Sequence, residues 1–290
     1  MKHLPLSVRA PLRLMMAPAV LFTVLLIAFP LAYTLWMSLQ RYSIGESPKF
    51  IGAANYLHLV QDANFWHGMK ITLLLYLLAL LMQLVAGTYL GVLLHTSKRM
   101  RGLLRSVLVS PFVLPPVVVG LMWMVLLDPS LGMANWLLSK LGIAPGLWLA
   151  SPAWVIPTIA LIDTWQWTPY VALIVLGGLQ SLPPSVFEAA QIDGVSRFAT
   201  FRRITLPLLW PTIVTAGILR SVDLLRFFDI IYVTTQGGPG NTSETLNILA
   251  FRTAFEFFDF GYSSALMITL STVVLGVTYV ILRLRQAVQW

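Results

Sequence analysis

Two short stretches hold the side chains with chemistry in them. Ile162-Asp163-Thr164-Trp165-Gln166-Trp167-Thr168-Pro169-Tyr170 places a carboxylate, an amide and two indoles close together. Further on, Arg220, Asp223, Arg226 and Asp229 recur at three-residue spacing. On a helix this brings Arg220, Asp223, Arg226/Phe227 and Ile230 close to one face and forms two opposite-charge i, i+3 pairs. Asp, Gln and Arg offer planar hydrogen bonding to hydroxyl groups, and an aromatic face suits a sugar ring. Other chemistry stays open. Asp163 or Asp223 in lipid can carry protons, as in a self-contained ion-coupled transporter. The charges can also neutralise each other or join Asp163 to fix a bundle. A membrane-embedded enzyme or scaffold is a third class.

The surroundings of these residues are apolar. The chain has 290 residues, 58% hydrophobic and 10% charged, with mean hydropathy +0.80. A soluble domain carries about 25% charge, so the composition is that of an integral membrane protein. The formal charge of +8 sits in short clusters beside apolar runs, a pattern of membrane topology and not of nucleic-acid binding. With no cysteine there is no disulfide frame and no thiolate metal site, and the four histidines (His3, His58, His67, His95) are scattered. No metal site is expected.

Six stretches reach the roughly 20 residues that a bilayer crossing needs: 14–37, 71–94, 106–127, 153–176, 208–232 and 262–282. They do not alternate in hydrophobicity, so helices and not barrel strands are predicted. The expected fold is an all-α integral membrane protein with six transmembrane helices. Run 14–37 exceeds a signal-peptide core and reads as a retained first span. One side collects Lys2, Arg9, Arg13, Lys98, Arg99, Arg101, Arg105, Arg197, Arg202, Arg203, Arg283 and Arg285; the other holds Arg41, Lys49, Lys70, Lys140 and Arg252. The richer side is cytoplasmic, with both termini on it. The chain then divides into a tail, first span and outer loop (1–69), a five-span core (70–285) and a C-terminal tail (286–290). Outer loops carry the interfacial aromatics Phe65 and Trp66, a short helix within Gly132–Gly142 and a turn at Gly237-Gly238-Pro239-Gly240.

One polar stretch, 181–207, falls in a cytoplasmic loop between spans four and five. Pro184 suits the first turn of a new helix. Residues 184–193 form that helix, and Gly194 closes it. Ser196 caps a second helix, on which Phe198, Phe201 and Ile204 share a face and which Pro207 ends. Ala189 and Ala190 make a narrow waist that can enter a cleft on another protein, and Glu188 can form an ion pair there. A connecting hairpin without a partner has the same features.

Glu188-Ala189-Ala190, three residues, Gly194, nine residues, Ile204-x-Leu206-Pro207 resembles the Glu-Ala-Ala loop of binding-protein-dependent ABC importers. Phe50-x-Gly52-x-x-Asn55-Tyr56, the Gly132–Gly142 helix and Phe228-Asp229-x-x-Tyr232-x-x-Thr235-x-Gly237-Gly238-Pro239 are similar to the carbohydrate branch, in its smaller six-span members. The resemblance implies an ABC importer type I permease fold in a bacterial cytoplasmic (inner) membrane. It implies ATPase docking at Glu188, Ala189, Ala190, Asp193 and Gly194. From Thr164-Trp165…Pro169-Tyr170, the span-three prolines Pro111 and Pro115, and the Gly-Gly-Pro end, it places solute at Phe112, Pro116, Asp163, Gln166, Trp167, Arg220 and Leu224. It implies a second homologous permease subunit, two ABC ATPase copies, a periplasmic or lipid-anchored solute-binding protein and surrounding membrane lipid, with no nucleic acid. The solute would be an oligosaccharide, monosaccharide, polyol or glycerol phosphate. No Gly-x-x-x-x-Gly-Lys-Ser/Thr loop is present. The chain itself therefore needs no cofactor, and ATP and Mg would be bound by the ATPase.

Overall fold

The computed structural model describes residues 6–96 and 101–287. Lys2, Lys98 and Arg99, counted above among the cytoplasmic charges, and tail residues 288–290 lie outside them. The described residues form thirteen α-helices, with two-residue strands β1 (Gln40–Arg41) and β2 (Lys49–Phe50) pairing antiparallel. In order the helices are α1 Leu6–Ser38, α2 Ala54–Gln61, α3 Ala63–Thr96, α4 Arg101–Val113, α5 Pro116–Leu126, α6 Met133–Lys140, α7 Val155–Ser181, α8 Pro184–Ile192, α9 Arg197–Thr200, α10 Leu206–Leu225, α11 Asp229–Thr234, α12 Leu246–Phe255 and α13 Phe260–Ala287.

Among the described residues, five helical segments are long and apolar enough to cross a membrane: Met15–Ser38, Ala63–Thr96, Val155–Ser181, Arg197–Leu225 and Phe260–Arg283. A sixth crossing is available through a bent pair, Ser106–Val113 with Pro116–Leu126, at 104°. The expected third span is thus broken and not merely kinked. Two consecutive prolines cause this. A residue before proline avoids the α region, and Pro115, before Pro116, is extended with ψ 137°.

Span five also differs from its expected limits of 208–232. It runs continuously from Arg197 and stops at Leu225. Pro207 does not end a helix; it sits in the first turn of α10, behind a π turn at Phe201–Thr205. In an α-helix a proline ring collides with the carbonyl four residues back. The wider π turn, with Leu206 N–H bonded to Phe201 C=O, opens the backbone just ahead of the ring.

Contacts group the chain into two compact units. One comprises residues 1–62 with 250–269. In it the apolar length of α1 is exposed from Met15 to Trp36 except for half-buried Thr34, as a lipid-facing helix must be. The Asn55-Tyr56 pair ties down the end of α1: Asn55 Nδ2 donates to the Ser38 and Gln40 carbonyls at 2.8 and 2.9 Å, and Tyr56 Oη meets Ser38 Oγ at 2.7 Å. The Tyr262 hydroxyl donates to Asp62 at 2.7 Å.

The second unit comprises residues 63–249 with 270–290. Its framework is α3 packed along α7, with α10 packed against both. Gly87 and Gly91, one turn apart on α3, allow this approach, since small residues let backbones come close. A Cβ on Gly87 would stand 2.5 Å from Val171 Cγ1, and one on Gly91 2.8 Å from Val175 Cγ1. Val171, Val175 and Leu179 then pack with Leu209, Ile213 and Ala216 of α10. Gly87→Leu should therefore cost about 1–3 kcal/mol or more by overpacking. A lowered melting temperature of the purified chain checks this, and an unchanged one would mean the two helices can separate freely.

The outer loop helix α6 ends as expected at Gly142, with φ +73°. The N–H groups of Gly142 and Ile143 bond back to Ser139 and Leu138 at 3.1 and 2.9 Å, a Schellman cap. Asn135 is the hub of this loop: its amide donates to the Pro129 and Gly146 carbonyls and accepts from Gly146 N–H and Trp148 Nε1.

Candidate solute cavity and coupling loop

Arg220 is the central group of the second unit, with only 1% of its surface exposed. Its Nη2 lies 3.0 Å from Asp163 Oδ2 and its Nη1 3.3 Å from Asp223 Oδ2. Its Nε donates to Gln83 Oε1 at 2.8 Å. Gln83 closes the figure by donating from Nε2 to Asp163 Oδ2 at 2.6 Å. The guanidinium lies on the Trp167 ring, 4.1 Å from its centroid. A buried ion is tolerated only when paired and hydrogen-bonded, and four polar side chains from α3, α7 and α10 meet that demand together. Beside them, Tyr76 Oη and Ser221 Oγ join α3 to α10 at 3.1 Å.

A cavity of about 400 Å3 opens onto this network. Pro116, Asp163, Trp167 and Arg220 line it, with Asp223, Arg226, Phe227, Phe228, Asp229 and Asn247. Four of the seven residues expected at the solute are thereby brought together. The other three lie behind them. Phe112 packs its ring 5.4 Å from both Trp167 and Tyr170. Leu224 is buried in the core. Gln166 donates to the Leu114 carbonyl at 2.8 Å, so its amide supports the break between α4 and α5.

The cavity exists because α10 stops. Arg226 caps its C-terminus, and the chain turns through Phe227 and Phe228 before α11 begins. The expected Arg226–Asp229 helical pair does not form: Arg226 Nε donates to the Val222 carbonyl at 3.3 Å, and Asp229 stands in the first turn of α11. Broken helices at membrane depth are confined to places where irregular backbone faces a cavity or protein. Sequence reasoning missed Gln83. Its signal was available, as the one amide within the charge-free run 71–94. Asn247 was also missed; its Nδ2 holds the Arg226 carbonyl at 2.9 Å, and only the fold brings it near.

At the far end of α7 lies the polar loop. Pro183 is extended and Pro184 opens α8, as predicted. Gly194 has φ +70°. Gly194 N–H bonds to Gln191 O at 3.1 Å and Val195 N–H to Ala190 O at 3.0 Å, a second Schellman cap. Ser196 Oγ accepts from Ala199 N–H at 3.3 Å, as an N-cap should. Glu188, Ala189, Asp193 and Gly194 are exposed, while Ala190 is buried. Phe198 is 73% exposed, while Phe201 and Ile204 are half-buried. Ile192, at 86%, stands beside it in exposure.

A sequence model for the binding-protein-dependent transport system inner membrane component matches residues 83–287. The chain belongs to this family. The permease is 37% identical over 272 residues to the trehalose/maltose transport system permease protein MalF of Thermococcus litoralis, over 93% of this chain and 92% of that one. It is 36% identical over 274 residues to the sulfoquinovosyl glycerol transport system permease protein SmoG of Agrobacterium fabrum, over 93% and 89%. Among solved structures, a bacterial ABC transporter involved in the import of the acidic polysaccharide alginate superposes with TM-score 0.86 at 22% identity, over 96% of each chain. That likeness establishes the ABC importer permease fold. As a multi-pass transport component the permease is not an enzyme, and ATP hydrolysis belongs to separate ATPase subunits. Membership in a binding-protein-dependent system replaces the alternatives of a self-contained ion-coupled transporter and a membrane enzyme.

Proposed function

We propose that the permease is one half of a heterodimeric pore in a bacterial cytoplasmic membrane, carrying a sugar or sugar-derived solute delivered by an external binding protein. The observation that carries this is the cavity at Asp163, Trp167 and Arg220, formed where α10 breaks and lined by polar groups next to aromatic faces. Relatives named for trehalose, maltose and sulfoquinovosyl glycerol support the solute class. Of two ATPase copies, which hold ATP and Mg, one docks at Glu188, Ala189, Ala190, Asp193 and Gly194 and the other on the loop of the second permease. ATP binding closes the ATPase pair and opens the pore outward; hydrolysis resets it inward.

Vesicles containing the assembled importer test the reading. Uptake of a glycoside from its binding protein should stop when ATP is removed, whatever the proton gradient. Uptake that persists without ATP while a proton gradient is maintained would overturn it.

A further inference from the structure

We infer that the cavity is selective for neutral, hydroxyl-rich solutes and rejects anionic ones. The inference rests on the importer reading above and specifies its solute. Its basis is the charge of the lining, which holds three carboxylates, Asp163, Asp223 and Asp229, against two guanidiniums, Arg220 and Arg226.

Arg220 would be the natural seat for a phosphate or sulfonate, but each of its three nitrogens already serves a partner, which leaves two of its five N–H donors. Nε serves Gln83, Nη1 serves Asp223 and Nη2 serves Asp163. Its face is covered by Trp167. An anion binding there competes with carboxylates held at 3.0 and 3.3 Å, and displacing the buried Asp163 would leave that carboxylate without its ion-pair partner. Arg226 is the other cation. It caps the C-terminus of α10 and donates to the Val222 carbonyl. The negative end of the helix dipole lies at that terminus, so the field of Arg226 toward the cavity is reduced. Asp223 and Asp229 are both exposed at the cavity. The lining therefore carries one excess negative charge, in surroundings that screen it less than water does.

The same arrangement supplies what a neutral sugar needs. Carboxylates accept hydrogen bonds from hydroxyl groups. Phe227 and Phe228 line the cavity as apolar faces, in place of the Trp167 face that Arg220 covers. The permeases for sulfoquinovosyl glycerol and for sn-glycerol-3-phosphate, named for anionic solutes, are 36% and 29% identical to this chain. Overall likeness therefore does not set the charge of the solute.

The absence of cysteine from the chain makes a direct test possible. A single thiol is introduced as Asn247→Cys in the assembled importer in membrane vesicles. Its reaction with a cationic and an anionic methanethiosulfonate is followed by labelling of this chain, each rate divided by that with a free small thiol. The cationic reagent should be favoured by on the order of tenfold, the effect of one unit charge at about a nanometre in a medium of intermediate dielectric. Asp223→Asn with Asp229→Asn should remove or reverse the preference. Asp229→Asn alone should narrow it, and it keeps the buried network intact. Equal rates, or a faster anionic reagent, would overturn the inference, and so would a preference that survives both substitutions. Because the readout needs no transported solute, it is independent of the uptake assay: glycoside uptake that fails while the reagent preference holds would count against the importer reading alone.

Discussion

Arg220→Ala is expected to destabilise the permease by about 3–5 kcal/mol, because it leaves the buried Asp163 charge without its partner, and Asp163→Ala by less, because Arg220 keeps Asp223 at 3.3 Å. Both side chains are almost completely buried. Removing Asp163 strips Arg220 of its 3.0 Å ion pair and Gln83 of its 2.6 Å acceptor. Removing Arg220 leaves Asp163 facing only an amide. The informative variant is the double change Asp163→Asn with Arg220→Gln. It removes both charges while keeping groups that can hydrogen-bond, and it should recover most of the loss, since no uncompensated buried charge is left. Thermal unfolding of the purified chain in mild detergent separates these cases. Single variants as stable as the unchanged protein would show that water reaches the pair and that it does not fix the bundle. Asp163 thus pairs with Arg220 in the bundle, one of the roles that its residue type leaves open.

Gly194→Val should uncouple the importer while leaving the spans folded. Gly194 holds φ +70° with nothing within 4 Å of a would-be Cβ, so the effect is conformational and not a clash. A side chain in the left-handed region costs about 1–2 kcal/mol, and β-branching worsens it. The Schellman bonds from Gly194 and Val195 that close α8 are then lost. The expected result is at least a tenfold fall in ATPase co-purified with the permease, with little change in melting temperature. Gly194→Asn should retain most of the docking, because asparagine tolerates this backbone region. Equal loss in both variants would place the defect in side-chain bulk, and full retention in both would remove the loop from the coupling role. Glu188→Lys, a charge reversal on an exposed helix position, should likewise reduce co-purification without touching α8.

Local rules carried far in this chain. Pro184 at a helix start, Gly142 and Gly194 at helix ends and Ser196 as an N-cap are all decided within a few residues of backbone, and each lies where its residue type placed it. The apolar runs were legible because lipid demands a minimum length. What escaped was decided by partners distant in sequence. Gln83, Asp163 and Arg220 meet although 80 and 57 residues separate successive members, and no periodicity names such a triple. Trp167 was legible as an aromatic face, but its occupant was not: a guanidinium lies there. The early stop of α10 had no local signal, since no proline or glycine lies between Arg220 and Asp229 and the charges there keep a helical three-residue spacing. Pro207 failed as a terminator because a π turn ahead of it relieves the collision on which the rule depends.

The Asp163–Arg220 pair also has a mechanical meaning. Asp163 and Ser181 lie on the same unbroken helix, roughly 27 Å apart at 1.5 Å per residue. Arg220 lies on the continuous helical segment that starts at Arg197, on the other side of the coupling loop. The loop is thus the bend of a hairpin whose two arms are riveted together near their far ends by the ion pair. The pair resists splaying of the two arms near the cavity, and the helix breaks at Pro115-Pro116 and at Arg226–Phe228 lie on the same side of the hairpin, with Pro116 and Arg226 both lining the cavity.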